Sequence, residues 1–278
     1  MNSFYYGHAC APFCNVLITF NTSIIKEQVE FKLDKWRIGD ALIPLRDENR
    51  SQTVPHITRI LLIVNIIVFF VVLIPDFLEG NFLPALFGSS ASLDEVVLNY
   101  GMVPYYVLHG QWLYTIFTSM FLHADLIHLG GNMLFLYVFG DNVEDVFGHG
   151  RYLVFYFISG IAASAAFIWA QLLSEDVMTL FTVTIGASGA IAGVLGAYMM
   201  LYPKARILTL VFIGVIFIVP IPAVFFLGFW FVYQFLYGVL TLGVEAATGI
   251  AYWAHIGGFV VGIFFGLVWR GRRRRRSY

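Results

Sequence analysis

The chain has 278 residues, 59% of them hydrophobic and only 12% charged, with a formal net charge of −1. Soluble domains carry about 25% charged residues, so this composition points to a membrane protein and offers nothing to a nucleic-acid partner. Two cysteines, Cys10 and Cys14, cannot build a disulfide framework.

Residues 1–56 read as a cytoplasmic N-terminal segment carrying Lys26, Lys32, Lys35 and Arg37. Its stretch HACAPFC offers His8, Cys10 and Cys14, one short of the four ligands of a closed zinc site, so no metal is expected. The first twenty residues lack the basic n-region and small-residue cleavage site of a signal peptide.

A membrane helix needs roughly 20 mainly apolar residues. Stretches at about 57–75, 127–143, 152–173, 221–242 and 249–269 meet or approach that length, and a shorter one at about 186–202 ends before Pro203. Between the last-named stretch and 221 lies ARILTLVFIGVIFIVP, apolar but interrupted by Pro220 and Pro222 and rich in β-branched residues. It reads as an interfacial or re-entrant piece. The expected fold is therefore an all-α polytopic bundle of six transmembrane helices with a short fourth helix, occupying 57–269, followed by a basic tail, 270–278. Six spans put both termini on one side. The tail RGRRRRR (270–276), Lys204, Arg206 and Arg151 make that side cytoplasmic by the positive-inside rule, and the arginines suit anionic lipid. Residues 76–125 then lie outside, in what is expected to be a multi-pass protein of the cell membrane.

This topology places Ser188, at the start of the fourth span, at the same depth as His255 in the sixth and His128 and Asn132 in the second. Polar groups inside a membrane are costly and mark function or a buried partner. At about 100° per residue, His255, Gly258, Gly262 and Gly266 share one stripe of the sixth span. Ser188 borders a small-residue face of Gly189, Ala192, Gly193 and Gly196. Two smooth faces allow close helix approach, which would bring serine and histidine together. A hydroxyl beside an imidazole base is the minimum for nucleophilic catalysis. No acid lies in the sixth span, so a dyad is expected in place of a triad. Backbone N–H groups at the helix start, reached through Gly186 and Ala187, together with Asn132 and His128 one turn apart, are candidates for stabilising an oxyanion. The acids Asp141, Glu144 and Asp145 are expected to close the second span structurally with Arg151 as partner. His56, His109 and His149 fall in loops.

The segments HADLIHLGGNM (123–133), FGDNVEDVFG (139–148), GASGA (186–190) and AHIGG (254–258), in this order, resemble the rhomboid family of intramembrane serine proteases. The likeness runs from about 43, where IPLRDENR precedes the first span, to 269. It implies Ser188 as nucleophile, His255 as base, Asn132 and His128 at the oxyanion site with the Ser188 N–H, and His123 and Gly258 in support. It also implies no metal or cofactor, and substrates that are membrane-spanning helices of other proteins. Two positions depart from the family pattern. Ala192 stands where an aromatic residue often packs on the histidine, a part that Trp253 or Tyr252 would have to take, and Trp112-Leu113 replaces a Trp-Arg pair. A non-catalytic relative that binds or escorts membrane helices is the competing expectation. A proton-relaying transporter is disfavoured by the lack of repeats and of intramembrane acids.

Overall fold

The computed structural model describes residues 42–49, 51–212, 216–242 and 250–275, and every structural statement below concerns these. The motif with His8, Cys10 and Cys14 lies outside them. Six longer helices follow the apolar stretches: α1 (His56–Val72), α2 (Leu126–Phe147), α3 (His149–Leu172), α4 (Ser188–Leu201), α5 (Ala223–Leu240) and α6 (Tyr252–Arg275). Between α1 and α2 the chain makes short helical pieces, Ile74–Leu78, Phe82–Leu86, Ala91–Tyr100, Pro104–Leu108 and Thr115–Thr118, ending in a 3-10 turn, Ser119–Phe121.

Among the described residues three helices are long and apolar enough to cross a membrane: α3, α5 and the Tyr252–Gly271 part of α6. α1 and α4, apolar but with 17 and 14 residues, are shorter. At about 1.5 Å per residue α4 extends about 21 Å, short of a hydrocarbon core of about 30 Å. It survives because neighbours surround it: Gly189 to Met199 are all buried. They join Leu136, Phe139, Tyr156 and Phe259 in the main core.

The tightest contact in the bundle is α4 on α6. A Cβ added to Gly258 or Gly262 would collide with the backbone carbonyl of Gly189 or Gly193, and one on Gly196 with the carbonyl of Phe259. Only hydrogen fits at these crossings, so the helices touch backbone to backbone.

The all-α expectation is incomplete. Leu42–Asp47 (β1), Arg206–Phe212 (β2) and Ile216–Pro222 (β3) form an antiparallel sheet in the order β1-β2-β3. The segment read as interfacial or re-entrant is thus a hairpin, the structure its β-branched composition favours. Ile207 and Thr209 point inward and are fully buried. The pairing brings Leu42 opposite Val211 and Asp47 opposite Ile207, so part of the expected N-terminal segment, 1–56, is built into the same unit as the helices.

Asp141, Glu144 and Asp145, in the last turns of α2, form no ion pair with Arg151 among the described residues. Glu144 accepts hydrogen bonds from Ile57 N (2.9 Å), Thr58 N (2.8 Å) and Thr58 Oγ1 (2.7 Å), and its Oε1 lies 2.6 Å from His149 Nδ1. It thereby supplies the cap that the N-cap residue of α1, Pro55, cannot give, with a negative charge at the positive end of the helix. Asp145 accepts from Thr53 N (2.9 Å) and Oγ1 (2.6 Å). His149 is therefore the first residue of α3 and a partner of this network, not a loop bystander.

β1 is fastened by Asp47, whose Oδ2 accepts from Tyr198 OH (2.7 Å) and Asn142 Nδ2 (2.8 Å). Burial, opposed by the Tyr198 hydrogen bond and reinforced by the Asp141 charge, raises the Asp47 carboxyl from 3.8 to about 6. Between those two values the folded protein holds a proton that the unfolded chain has released, so stability falls as pH rises through this window. Replacing Asp47→Asn removes the titration but keeps an acceptor oxygen. Thermal unfolding in detergent should show the variant gaining on wild type between pH 4 and 6 and the difference levelling above; a difference constant with pH would contradict the assignment.

Candidate functional site

Two backbone ties set the approach to Ser188. Met102 and Thr184 exchange N–H···O=C bonds of 3.0 and 2.9 Å, and Gly186 N–H donates to the Ser119 carbonyl at 2.8 Å. Gly186 has φ +120, a region open mainly to glycine, and a Cβ there would lie 2.9 Å from His128 Nε2. Its contribution differs from the expected one. The Gly186 N–H is spent on Ser119, and what the glycine provides is the turn and the space for His128. The chain then enters α4 with Ser188 as its first helical residue, leaving the first N–H groups without intrahelical acceptors.

Ser188 Oγ lies 2.8 Å from His255 Nε2. On the other side of the ring, His255 Nδ1 lies 2.8 Å from Gln234 Oε1. An amide oxygen only accepts, so Nδ1 carries the proton and Nε2 is left to accept from the Ser188 hydroxyl. Gln234, buried on α5, was missed in the sequence, although it is the only amide in an otherwise apolar span. The Trp230 ring, one turn before it, lies 5.8 Å from the His255 ring. This, and neither of the two aromatics expected to compensate for Ala192, is the ring beside the histidine. Trp253 instead packs on Trp169 and donates to the Gly238 carbonyl, and Tyr252 packs on Tyr237.

His128 and Asn132 come from the first turns of α2, which Asp125 caps by accepting from His128 N at 2.7 Å. His128 Nδ1 faces the Ala124 N–H at 3.4 Å, which leaves the ring proton on Nε2, on the side of the ring next to Gly186. The Asn132 Nδ2 is buried without a hydrogen-bond partner among the described residues. Such an orphaned donor in a folded protein calls for an explanation. His123 is buried edge-on to His128, with 5.1 Å between rings. Burial, then the neighbouring His128, pushes it down to about 3, so it stays neutral. Gly258 is at the α4 contact, not at the reacting groups. Ser188 also lines, with Ser119, Ser164, Thr184 and a majority of small or apolar residues, a cavity of about 30 Å³, a size that holds a water.

The sequence from 109 to 272 matches the family model described as "Rhomboid domain". Rhomboid protein 1, mitochondrial, of Saccharomyces cerevisiae is 33% identical over 153 residues, 55% of this chain and 40% of that protein. Rhomboid protease GluP of Bacillus subtilis is 33% identical over 159 residues, 57% of this chain and 26% of that protein. Rhomboid protease AarA of Providencia stuartii is 37% identical over 103 residues, 34% of this chain and 36% of that protein. The matches thus cover less than half the length of each of these relatives.

The geometry predicts a definite tautomer. In ¹⁵N NMR of histidine-labelled protein at neutral pH, His255 should read as protonated on Nδ1, and Gln234→Leu should convert it to a tautomer mixture. A wild-type ring protonated on Nε2 would contradict the hydrogen-bond assignment.

Proposed function

The chain belongs to the rhomboid family, and from that premise we propose that it is an intramembrane serine endopeptidase acting through Ser188 and His255. The observation that carries the proposal is the hydroxyl 2.8 Å from an imidazole nitrogen whose opposite nitrogen is already engaged by Gln234. Helices long and apolar enough to span make it an integral membrane protein. We take α1 to α6 as six spans, with the termini in the cytoplasm and Ser188 below the outer face.

In this reading the Ser188 hydroxyl gives its proton to His255 Nε2 as Oγ attacks the scissile carbonyl of a locally unwound substrate helix. The carbonyl oxygen becomes an oxyanion. Asn132 Nδ2, His128 Nε2–H and the Ser188 N–H are the donors assigned to it, and the orphaned Asn132 amide is then a donor held ready for charge that appears only during reaction. Nε2 next protonates the departing amine, the C–N bond breaks and an ester remains on Ser188. A water, activated by the same Nε2, attacks the ester; the proton returns to Oγ as the acid product leaves. Gln234 is neutral, so it fixes the ring's orientation and accepts its Nδ1–H without offsetting the imidazolium charge as a carboxylate would.

Substrates follow from access. An intact helix hides its carbonyls in backbone hydrogen bonds, so membrane helices with weak helix formers near the cut are the expected class.

Two measurements test this. A fluorophosphonate probe should label the wild-type protein in membranes and fail to label Ser188→Ala; an unlabelled wild type that is folded would refute the nucleophile. Against a single-span substrate, Asn132→Ala should lower kcat by about 10²–10³-fold, the usual effect of losing one oxyanion donor, with KM nearly unchanged. An unaltered kcat would remove Asn132 from the site.

A further inference from the structure

The proposed chemistry makes no use of the β2–β3 hairpin, yet this is among the most apolar surfaces of the molecule. Residues 207–222 contain no charged side chain and one polar one, Thr209. Along β3, Ile216 is 62% exposed, Phe217 49%, Ile218 56% and Val219 41%. Neighbouring strand residues point to opposite faces, so both faces of β3 are apolar and uncovered. An antiparallel strand meeting water carries polar residues on that side.

The sheet that carries the hairpin lies, on its β1 side, beside a span instead of projecting away from it. Leu42, opposite Val211 in the sheet, lines one apolar crevice with Phe226, Phe229, Trp230 and Tyr233 of α5. Tyr233 is ten residues beyond the first residue of α5, about 15 Å along the axis, or half of a hydrocarbon core about 30 Å thick. The distal part of the sheet is therefore level with the first half of α5.

The open edge of β3 is adapted to the same surroundings. Ala223 N–H donates to the Ala205 carbonyl at the base of the hairpin. With the register Ile207↔Ile221, Thr209↔Val219 and Val211↔Phe217, the alternation of an antiparallel ladder turns those residues toward β2. It turns Ile216, Ile218, Pro220 and Pro222 toward the open edge. Two of the four outward positions are prolines, which have no N–H to leave unsatisfied in lipid. The same prolines obstruct strand addition by another protein. At the base, Lys204 and Arg206 are exposed, as suits a boundary with anionic headgroups.

We infer that the β2–β3 hairpin is embedded in one leaflet of the bilayer alongside α5, with lipid acyl chains covering both faces of β3. The inference rests on α5 crossing the membrane. Its test uses the full chain, with Cys10→Ser and Cys14→Ser, in phosphatidylcholine–phosphatidylglycerol vesicles. Nitroxide labels are attached singly at Phe217→Cys and Ile218→Cys, at Val232→Cys on the exposed side of α5, and at Glu48→Cys. Collision with oxygen and with a water-soluble nickel chelate is read by electron paramagnetic resonance. Labels at 217, 218 and 232 should collide at least several-fold more with oxygen than with nickel, and the label at 48 the reverse. Nickel-dominated collision at 217 and 218 with a lipid-like 232 would overturn the hairpin inference and leave the span intact. Nickel-dominated collision at 232 as well would overturn the span on which it depends. Low collision with both reagents at 217 or 218 would mean that protein, a second copy or a bound helix, covers β3, and this also overturns the inference.

Discussion

The structure depends most on the absence of side chains where α4 crosses α6. Gly258 and Gly262 lie against the carbonyls of Gly189 and Gly193, and Gly196 against that of Phe259. A methyl group at any of these points would have to push two backbones apart, and overpacking of this kind typically costs about 1–3 kcal/mol. The functional consequence exceeds the energetic one. Ser188 is one residue before Gly189, and His255 is three before Gly258. A separation of 2.8 Å between their polar atoms is within reach only because the helices meet at backbone distance.

Close approach does not by itself orient the imidazole. A histidine that can turn presents either nitrogen, and half of its tautomers would offer a proton where an acceptor is needed. α5 resolves this from outside the glycine contact, with Gln234 on Nδ1 and Trp230 near the ring. An amide does this at lower desolvation cost than a buried carboxylate, which must lose its hydration and pay for it in full if its partner is neutral. The choice suits a ring set among apolar helices and, in the proposed mechanism, gives up some stabilisation of the imidazolium.

How legible this was in the sequence varied with how local the signal is. The helix positions followed from apolar length, to within a few residues at most ends, because each helix is written in contiguous sequence. The glycine stripe of α6 was equally visible, since its period is that of the helix itself. The sheet was not: β1 and β2 are separated by about 160 residues, and nothing local in LIPLRD announces a partner at Arg206–Phe212. Glu144 was read as one of several acids closing a helix, because the N–H groups it caps belong to a helix some 87 residues earlier. Gln234 is missed although it is the lone amide of its span, because α5 is apolar on every side and the sequence leaves its rotation about its own axis unset. Only packing decides that Gln234 and Trp230, in place of Tyr252 or Trp253, face the histidine.

The same helix joins the sheet to the serine–histidine pair. Tyr233, which lines the crevice under Leu42, is the residue before Gln234, and Trp230 lines that crevice while lying 5.8 Å from the His255 ring. The sheet therefore packs on the very turn of α5 that supports the imidazole. β1 is in turn held by Asp47 to Tyr198 on α4 and to Asn142 on α2, and α4 begins with Ser188. The chain thus returns to its starting point: α4 to sheet, sheet to α5, α5 to His255, His255 to α4. A closed circuit of this kind restrains the ring from three directions at once, and its one carboxylate, Asp47, serves to tie β1 to α4. In a bundle whose helices are apolar nearly all round, such cross-ties supply the rotational definition that hydrophobicity cannot, because lipid and helix interiors are equally apolar.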